Sequence, residues 1–168
     1  DGESPITIPR SQAYIGVLID DLVTKGTTEP YRMMTSRAEH RLYLRMDNAD
    51  ARLTPLGYQV GLIGEERYAA FQAKQEQIAQ EVERLKRTPV GGDAETNAIL
   101  RELGTTELRH GITMAELLRR PEISYDQLGR LCDLPDLPQN VRSSVEILVK
   151  YEGYLRKQQA AIERFEKL

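Results

Sequence analysis

A mainly α-helical fold is predicted by three features of the sequence. Two long runs carry heptad-spaced apolar residues, several Ser/Thr-x-x-Glu/Gln pairs mark helix starts, and glycines and prolines divide the rest into short pieces. In the first run, "EERYAAFQAKQEQIAQEVERLKR", Tyr68, Phe71, Gln75, Ile78, Val82 and Leu85 are spaced 3-4-3-4-3. The second begins near Gln139 and carries Ile147, Tyr151, Tyr154, Gln158, Ala161, Phe165 and Leu168 at 4-3-4-3-4-3, with Val145, Leu148, Leu155 and Ile162 widening the stripe. Two such helices are expected to pack on each other, plausibly antiparallel, in a helical bundle completed by several short capped helices. Gln75 and Gln158 sit mid-seam, either in contact across it or each facing solvent.

From the N-terminus, "PITIP" is a short extended piece, and the first residues form a small irregular part. Ser11 is a suitable N-cap for "QAYIGVLIDDLVTK", in which Ile15, Leu18, Ile19 and Leu22 have helical spacing and Gly26 is placed to terminate. Asp20 and Asp21 near the end of that helix oppose the macrodipole, which disfavours negative charge there. They are either tolerated in solvent or paired with the arginines that follow. Ser36 and Glu39 then fit a capping box that would start a helix at Arg37, although "HRLYLRM" also alternates as a strand would. As a helix, the segment places Arg37, Arg41 and Arg45 along one stripe.

Thr54-Pro55 reads as an N-cap with proline at the first helical position, opening a short helix to about Leu62 that Gly64 breaks. After the first long helix, "TPVGGD" (88–93) is the most linker-like segment. "AETNAILREL" ends at Gly104, Thr113 with Glu116 caps "MAELLRR", and Ser124 with Gln127 caps "YDQLGRLC". "DLPDLP" is a rigid connector into the last helix.

Composition narrows the function classes. Apolar residues make up 40% and charged residues 29% of 168, with a net charge of -3. These are values of a globular protein, and any basic surface must be local. No apolar run approaches the ~20 residues of a membrane helix, and residues 1–10 carry no signal-peptide pattern. The single cysteine, Cys132, excludes an internal disulfide and suggests a reducing, cytosolic setting. A start at Asp1 and an end inside a helical run suggest a fragment truncated at its C-terminus.

Catalytic patterns are absent. His40 and His110 stand alone, no dinucleotide or phosphate-loop motif occurs, and Gly57, Gly61 and Gly64 lie in helix-like sequence. No catalytic, cofactor-binding or metal residue is therefore assigned. What remains is an arginine-rich strip, Arg32, Arg37, Arg41, Arg45 and Arg52, with Tyr31 and Tyr43 nearby. Guanidinium forks suit phosphate oxygens, and the rings suit unpaired bases. Against that, Glu29, Glu39, Asp47 and Asp50 leave a local net charge of only +1.

The strip and its flanks resemble a known family. "EPYRMMTSRAEHRLYLRMDNADARL", "RRPEISYDQL" and "VKYEGYLRKQ" are similar to the MnmG (GidA) proteins, and the likeness covers nearly the whole chain. The resemblance implies an FAD-dependent enzyme that works with the GTPase MnmE. The pair adds a carboxymethylaminomethyl or aminomethyl group to C5 of the wobble uridine of tRNA, using a methylene-tetrahydrofolate carbon and NADH. FAD and NADH would bind outside this chain, as would the catalytic cysteines. Residues 1–63 would adjoin the FAD domain, and 64–168 would be the helical C-terminal domain, docking MnmE. A cytoplasmic homodimer without membrane association is implied for the full-length protein. Arg32, Arg37, Arg41, Arg45 and Arg52 match the family and fit a tRNA-facing role. Asp20, Asp21, Asp47, Asn48 and Asp50 match as supporting residues, while His40 departs from the family's tyrosine. The alternative is a stand-alone helical adaptor whose arginines pair with Asp20, Asp21, Asp47 and Asp50.

Overall fold

A computed structural model describes residues 2–166, apart from the side chains of 153–158. The helices are α1 (Tyr14–Thr24), α2 (Ala49–Gln59), α3 (Glu65–Arg87), α4 (Ala94–Glu102), α5 (Met114–Leu118) and α6 (Gln139–Glu166). Strands β1 (Pro89–Val90) and β2 (Ile112–Thr113) pair antiparallel, with Val90 opposite Ile112. Single 3-10 turns lie at Thr35–Arg37 and Asp126–Arg130. The fold is mainly helical, as expected. The chain divides into two compact units, Asp1–Phe71 with Leu155–Leu168, and Gln72–Tyr154.

The second unit is built on an apolar core. Ile78 and Leu85 of α3, Leu100 of α4, Leu117 and Leu118 of α5, and Val141, Val145 and Val149 of α6 are buried together. Both long helices contribute residues to this core, and on α6 the buried stripe is displaced from the expected seam. The valines at four-residue spacing are buried, whereas Leu148 and Tyr151 are exposed. Branched valines fit close helix contacts, and the larger residues beside them are left at the rim. Of the remaining seam residues, Tyr154, Leu155, Gln158 and Leu168 lie outside the described side chains, so the Gln75–Gln158 contact does too.

The segment 88–93, expected as a linker, is held in place. The Met114 amide donates to the Thr88 carbonyl at 2.8 Å, β1 pairs with β2, and the Asn97 side-chain amide donates to the carbonyls of Gly92 and Leu108. A Cβ on Gly92 would lie 2.6 Å from the Leu108 carbonyl oxygen, so this glycine permits close approach rather than flexibility. The Thr113–Glu116 capping box forms as expected. The Ser124–Gln127 bonds form too, but they open a 3-10 turn instead of an α-helix.

Two polar groups are built into this core. Glu81, 3% exposed, accepts from the Tyr125 hydroxyl at 2.8 Å and from Arg84 at 2.7 and 2.8 Å. Burial and that carboxylate raise the Tyr125 hydroxyl well above its ordinary value. Lys150 of α6 donates to the carbonyls of Leu118, Arg120 and Ile123 at 2.7, 2.6 and 2.5 Å. Its ammonium thus satisfies the carbonyls of Leu118 and Ile123 and adds a second bond to the Arg120 carbonyl, which already accepts from the Ile123 amide.

In the first unit the differences from expectation are larger. α1 starts at Tyr14 with Ala13 as N-cap, not at Ser11, and Gly26 closes it at φ +66 as expected. Its stripe Ile15, Ile19 and Leu22 is exposed, and Gly16, Val17 and Asp21 face inward instead. No helix forms at 37–45: one 3-10 turn ends at Arg37, and Ala38 is extended. α2 has Asn48 as its N-cap, six residues before the expected Thr54, and carries Pro55 inside it.

Replacing Lys150 by Met keeps the stem but removes three donors from the end of α5. The expected loss is about 2–4 kcal/mol, since each buried carbonyl left unpaired costs about 1–3 kcal/mol. A urea titration of the purified chain, followed by helical circular dichroism, checks this.

Candidate nucleic-acid interface

The residues of the arginine strip sit on a scaffold that begins with a glycine. A Cβ on Gly16 would lie 2.5 Å from the carbonyl oxygens of both Ile8 and Pro9. Only glycine lets the extended "PITIP" segment run against α1 this closely. That approach delivers Arg10 to the C-terminal half of the helix. Its guanidinium donates to Asp20 at 3.0 Å, to Asp21 at 2.5 Å and to the Val17 carbonyl at 3.3 Å. On its other side it grips Glu39 with bonds of 2.8 and 3.1 Å and donates to the Arg37 carbonyl at 3.0 Å.

This arrangement explains why two aspartates are tolerated near a helix C-terminus. Asp21 has a side chain only 5% exposed, and its second oxygen accepts from the Tyr31 hydroxyl at 2.7 Å. Lys25, one turn further on, lies 3.7 Å away. The unfavourable dipole interaction is offset by cations at the same end. It also explains the missing helix. Glu39, the expected capping partner of Ser36, is taken by an arginine 29 residues upstream. A forked, doubly bonded ion pair outweighs a capping bond.

The five arginines divide into two groups. Arg45 pairs with Asp47 at 3.0 and 3.2 Å and donates to the Leu42 carbonyl. Arg52 donates to Asn48 at 2.9 Å, to the Arg45 carbonyl at 2.8 Å and to the Gln12 carbonyl. Burial lowers its affinity for the proton, though a guanidinium stays ionised at neutral pH. Asn48 ties both together, accepting from the Arg45 amide at 3.2 Å and donating to the Tyr43 carbonyl at 2.8 Å. Asp50 lies in the first turn of α2, where negative charge is favoured. These residues knit the turn between 42 and 52.

Arg32, Arg37 and Arg41 behave differently. All three are exposed. The Arg37 guanidinium lies over the Tyr31 ring at 4.7 Å, a cation–π contact, and no hydrogen bond or ion pair of the Arg32 or Arg41 side chain occurs among the described residues. Beneath them is only a small apolar cluster, Val17, Ala38 and Leu44 with Tyr14, Met33 and Tyr43 packed against it. Arg10 is the residue that sequence reasoning missed. Its signal was the pair Asp20-Asp21, whose charge required a cation from outside the strip.

No group of His, Cys, Asp and Glu able to hold a metal ion occurs among the described residues, and no described helix is long and apolar enough to cross a membrane.

Comparison with known proteins places this fold in the class of helical domains from tRNA-modifying enzymes. The family model described as "tRNA modifying enzyme MnmG/GidA C-terminal helical domain" matches residues 65–159. The curated tRNA uridine 5-carboxymethylaminomethyl modification enzyme MnmG of Caldicellulosiruptor saccharolyticus is 54% identical over 168 residues, covering 99% of this chain and 27% of the relative. The protein of the same name from Listeria welshimeri is 52% identical over 167 residues, with the same coverage. Among solved structures, Aquifex aeolicus GidA in its form II crystal superposes with a TM-score of 0.80 at 37% identity, covering 99% of this chain and 26% of that one. The chain belongs to the MnmG/GidA family, and it spans about a quarter of the length of those relatives.

The charged cluster predicts a pH dependence. Tyr31 and then Arg10 hold the Asp21 carboxyl below its ordinary value, and Arg10 does the same to Glu39. A carboxylate whose folded value is depressed stabilises fully above its unfolded value and loses that contribution as pH falls through the folded one. Stability should therefore decline from about pH 4 downward, the unfolded carboxylate range being about 3.9–4.3. Urea titrations at a series of pH values check this, and Arg10→Gln should make the decline shallower.

Proposed function

We propose that this chain is the section of an MnmG-type enzyme that presents guanidinium groups to tRNA and a helical unit to a protein partner. In the full-length protein, FAD and NADH bound outside this chain would carry the redox chemistry. Modification at C5 of the wobble uridine would proceed together with the GTPase MnmE, in a cytoplasmic homodimer. The family relatives named for that modification support this reading, as does their extent of about four times this chain's length.

One observation carries the tRNA assignment: Arg32, Arg37 and Arg41 are exposed along one short segment, while Asp20, Asp21, Glu39 and Asp47 are bonded to other cations. Asp20, Asp21 and Glu39 are satisfied by Arg10, and Asp47 by Arg45. The ion pairs of those four carboxylates therefore leave the guanidiniums of Arg32, Arg37 and Arg41 uncommitted. Arg45, Arg52 and Asn48 support the strip by fixing the turn that follows it, and Tyr43 lies beside that turn. The competing adaptor reading pairs the strip with Asp20, Asp21, Asp47 and Asp50; Asp47 does bind Arg45, but the partners of Asp20 and Asp21 are Arg10, Tyr31 and Lys25.

The test is tRNA binding by the full-length protein as a function of salt. Each of Arg32→Ala, Arg37→Ala and Arg41→Ala should weaken binding. Each should also shallow the dependence of log affinity on log salt, by about one unit for every phosphate the variant no longer neutralises. Unchanged affinity and slope in all three variants would leave the adaptor reading standing.

A further inference from the structure

We infer that Arg10 is the positioning residue of the basic strip: by binding α1 on one side and the 37–39 backbone and side chain on the other, it fixes the conformation in which Arg32, Arg37 and Arg41 meet polyanion. This rests on the tRNA-facing reading of those arginines.

Three observations lead to it. First, the segment between α1 and α2 has little else to hold it before the knitted turn at 42. It contains one 3-10 turn, and residues 22–30 are exposed throughout. Its buried apolar residues are Ala38 and Leu44, too small a set to define a path for twenty-four residues. Second, Arg10 reaches Arg37 by two routes. One is direct, through the Arg37 carbonyl at 3.0 Å. The other runs from Arg10 to Asp21, from Asp21 to the Tyr31 hydroxyl at 2.7 Å, and from the Tyr31 ring to the Arg37 guanidinium at 4.7 Å. Backbone and side chain of the same arginine are thus set by one upstream residue.

Third, Arg10 is not itself available to phosphate. Its side chain is 20% exposed, and its donors are occupied by Asp20, Asp21, Glu39 and two carbonyls. Three carboxylates outweigh its charge and hold its proton more tightly than usual. Arg10 therefore acts through the strip. Its removal would leave the number of phosphates neutralised in the bound complex unchanged and add the cost of ordering the segment.

That separation defines the experiment, made on the full-length protein with unmodified tRNA. The variants are Arg10→Lys, which keeps the charge but not the planar fork, and Tyr31→Phe, which keeps the ring but not the bond to Asp21. The expected result is affinity lowered about threefold to tenfold, from ordering a segment that was preorganised. The salt slope should equal that of the unaltered protein, and backbone amides of 31–41 should exchange hydrogen faster than any lowering of the melting temperature accounts for. A slope shallowed by about one unit, as expected for Arg37→Ala, would make Arg10 or Tyr31 a direct phosphate ligand and overturn the proposal. Unchanged affinity would overturn it, and so would a lowered melting temperature that accounts for the whole affinity loss. If Arg37→Ala itself leaves affinity and slope untouched, the tRNA-facing reading fails instead. Exchange at 31–41 in the Arg10 variant would then still report whether Arg10 orders the segment.

Discussion

The first unit depends on one interaction, the pairing of the Arg10 guanidinium with Asp21 at the inner face of α1. A side chain 5% exposed and negatively charged is tolerable only with a bonded countercharge, because an unpaired buried charge costs several kcal/mol. Once Arg10 is placed there, its remaining donors lie where Asp20, Glu39 and the Arg37 carbonyl can be reached, and the path of the chain after α1 follows. The arrangement depends in turn on Gly16, since a side chain at that position would displace the carbonyls of Ile8 and Pro9 and move Arg10 away. Backbone approach comes first, ion pairing second, and display of the exposed arginines last.

The second unit is stabilised differently. Its core is aliphatic and continuous, with Leu85, Leu100, Leu117 and Leu128 fully inaccessible. Burying such side chains contributes about 1.5–3 kcal/mol each before conformational entropy is counted. The polar groups inside it close specific gaps. Lys150 serves the carbonyls that end α5, and Glu81 joins Tyr125 to Arg84. Each is bonded at several points, as burial requires. Here charge refines a packed core, whereas in the first unit it replaces one.

That contrast explains what the sequence made legible. Where structure is locally determined, the reading holds: α3 spans Glu65–Arg87 as its heptad pattern indicates, the Thr113–Glu116 box caps α5, and Gly26 and Gly104 stand at helix ends with positive φ. Where a distant partner competes, it does not. Ser36 and Glu39 have capping-box spacing, but Arg10 binds Glu39 more strongly than the Ser36 backbone could, and the helix does not form. "TPVGGD" has a linker's composition, yet its Gly92 allows close approach to Leu108 and its Pro89–Val90 pairs with the distant strand Ile112–Thr113. Helical spacing in α1 identified the element but not its buried face, because Ile15 and Ile19 line an open cleft of about 860 Å³ while Asp21 turns inward.

The strip itself shows why counting charges along a sequence misjudges a surface. Within residues 29–52 the formal balance is only slightly positive, and a solvated ion-paired helix face would fit those numbers equally well. In the folded unit the carboxylates are not evenly shared. Glu39 is removed by an arginine from outside the window, and Asp47 is held by the adjacent Arg45, whose role is to brace the turn. Arg32, Arg37 and Arg41 are left exposed outside those pairs, and Arg10 donates to the Arg37 carbonyl behind them. A cation from upstream thus changes which groups pair: Arg10 engages Asp20, Asp21 and Glu39, and those carboxylates are bonded to it and not to Arg32, Arg37 or Arg41.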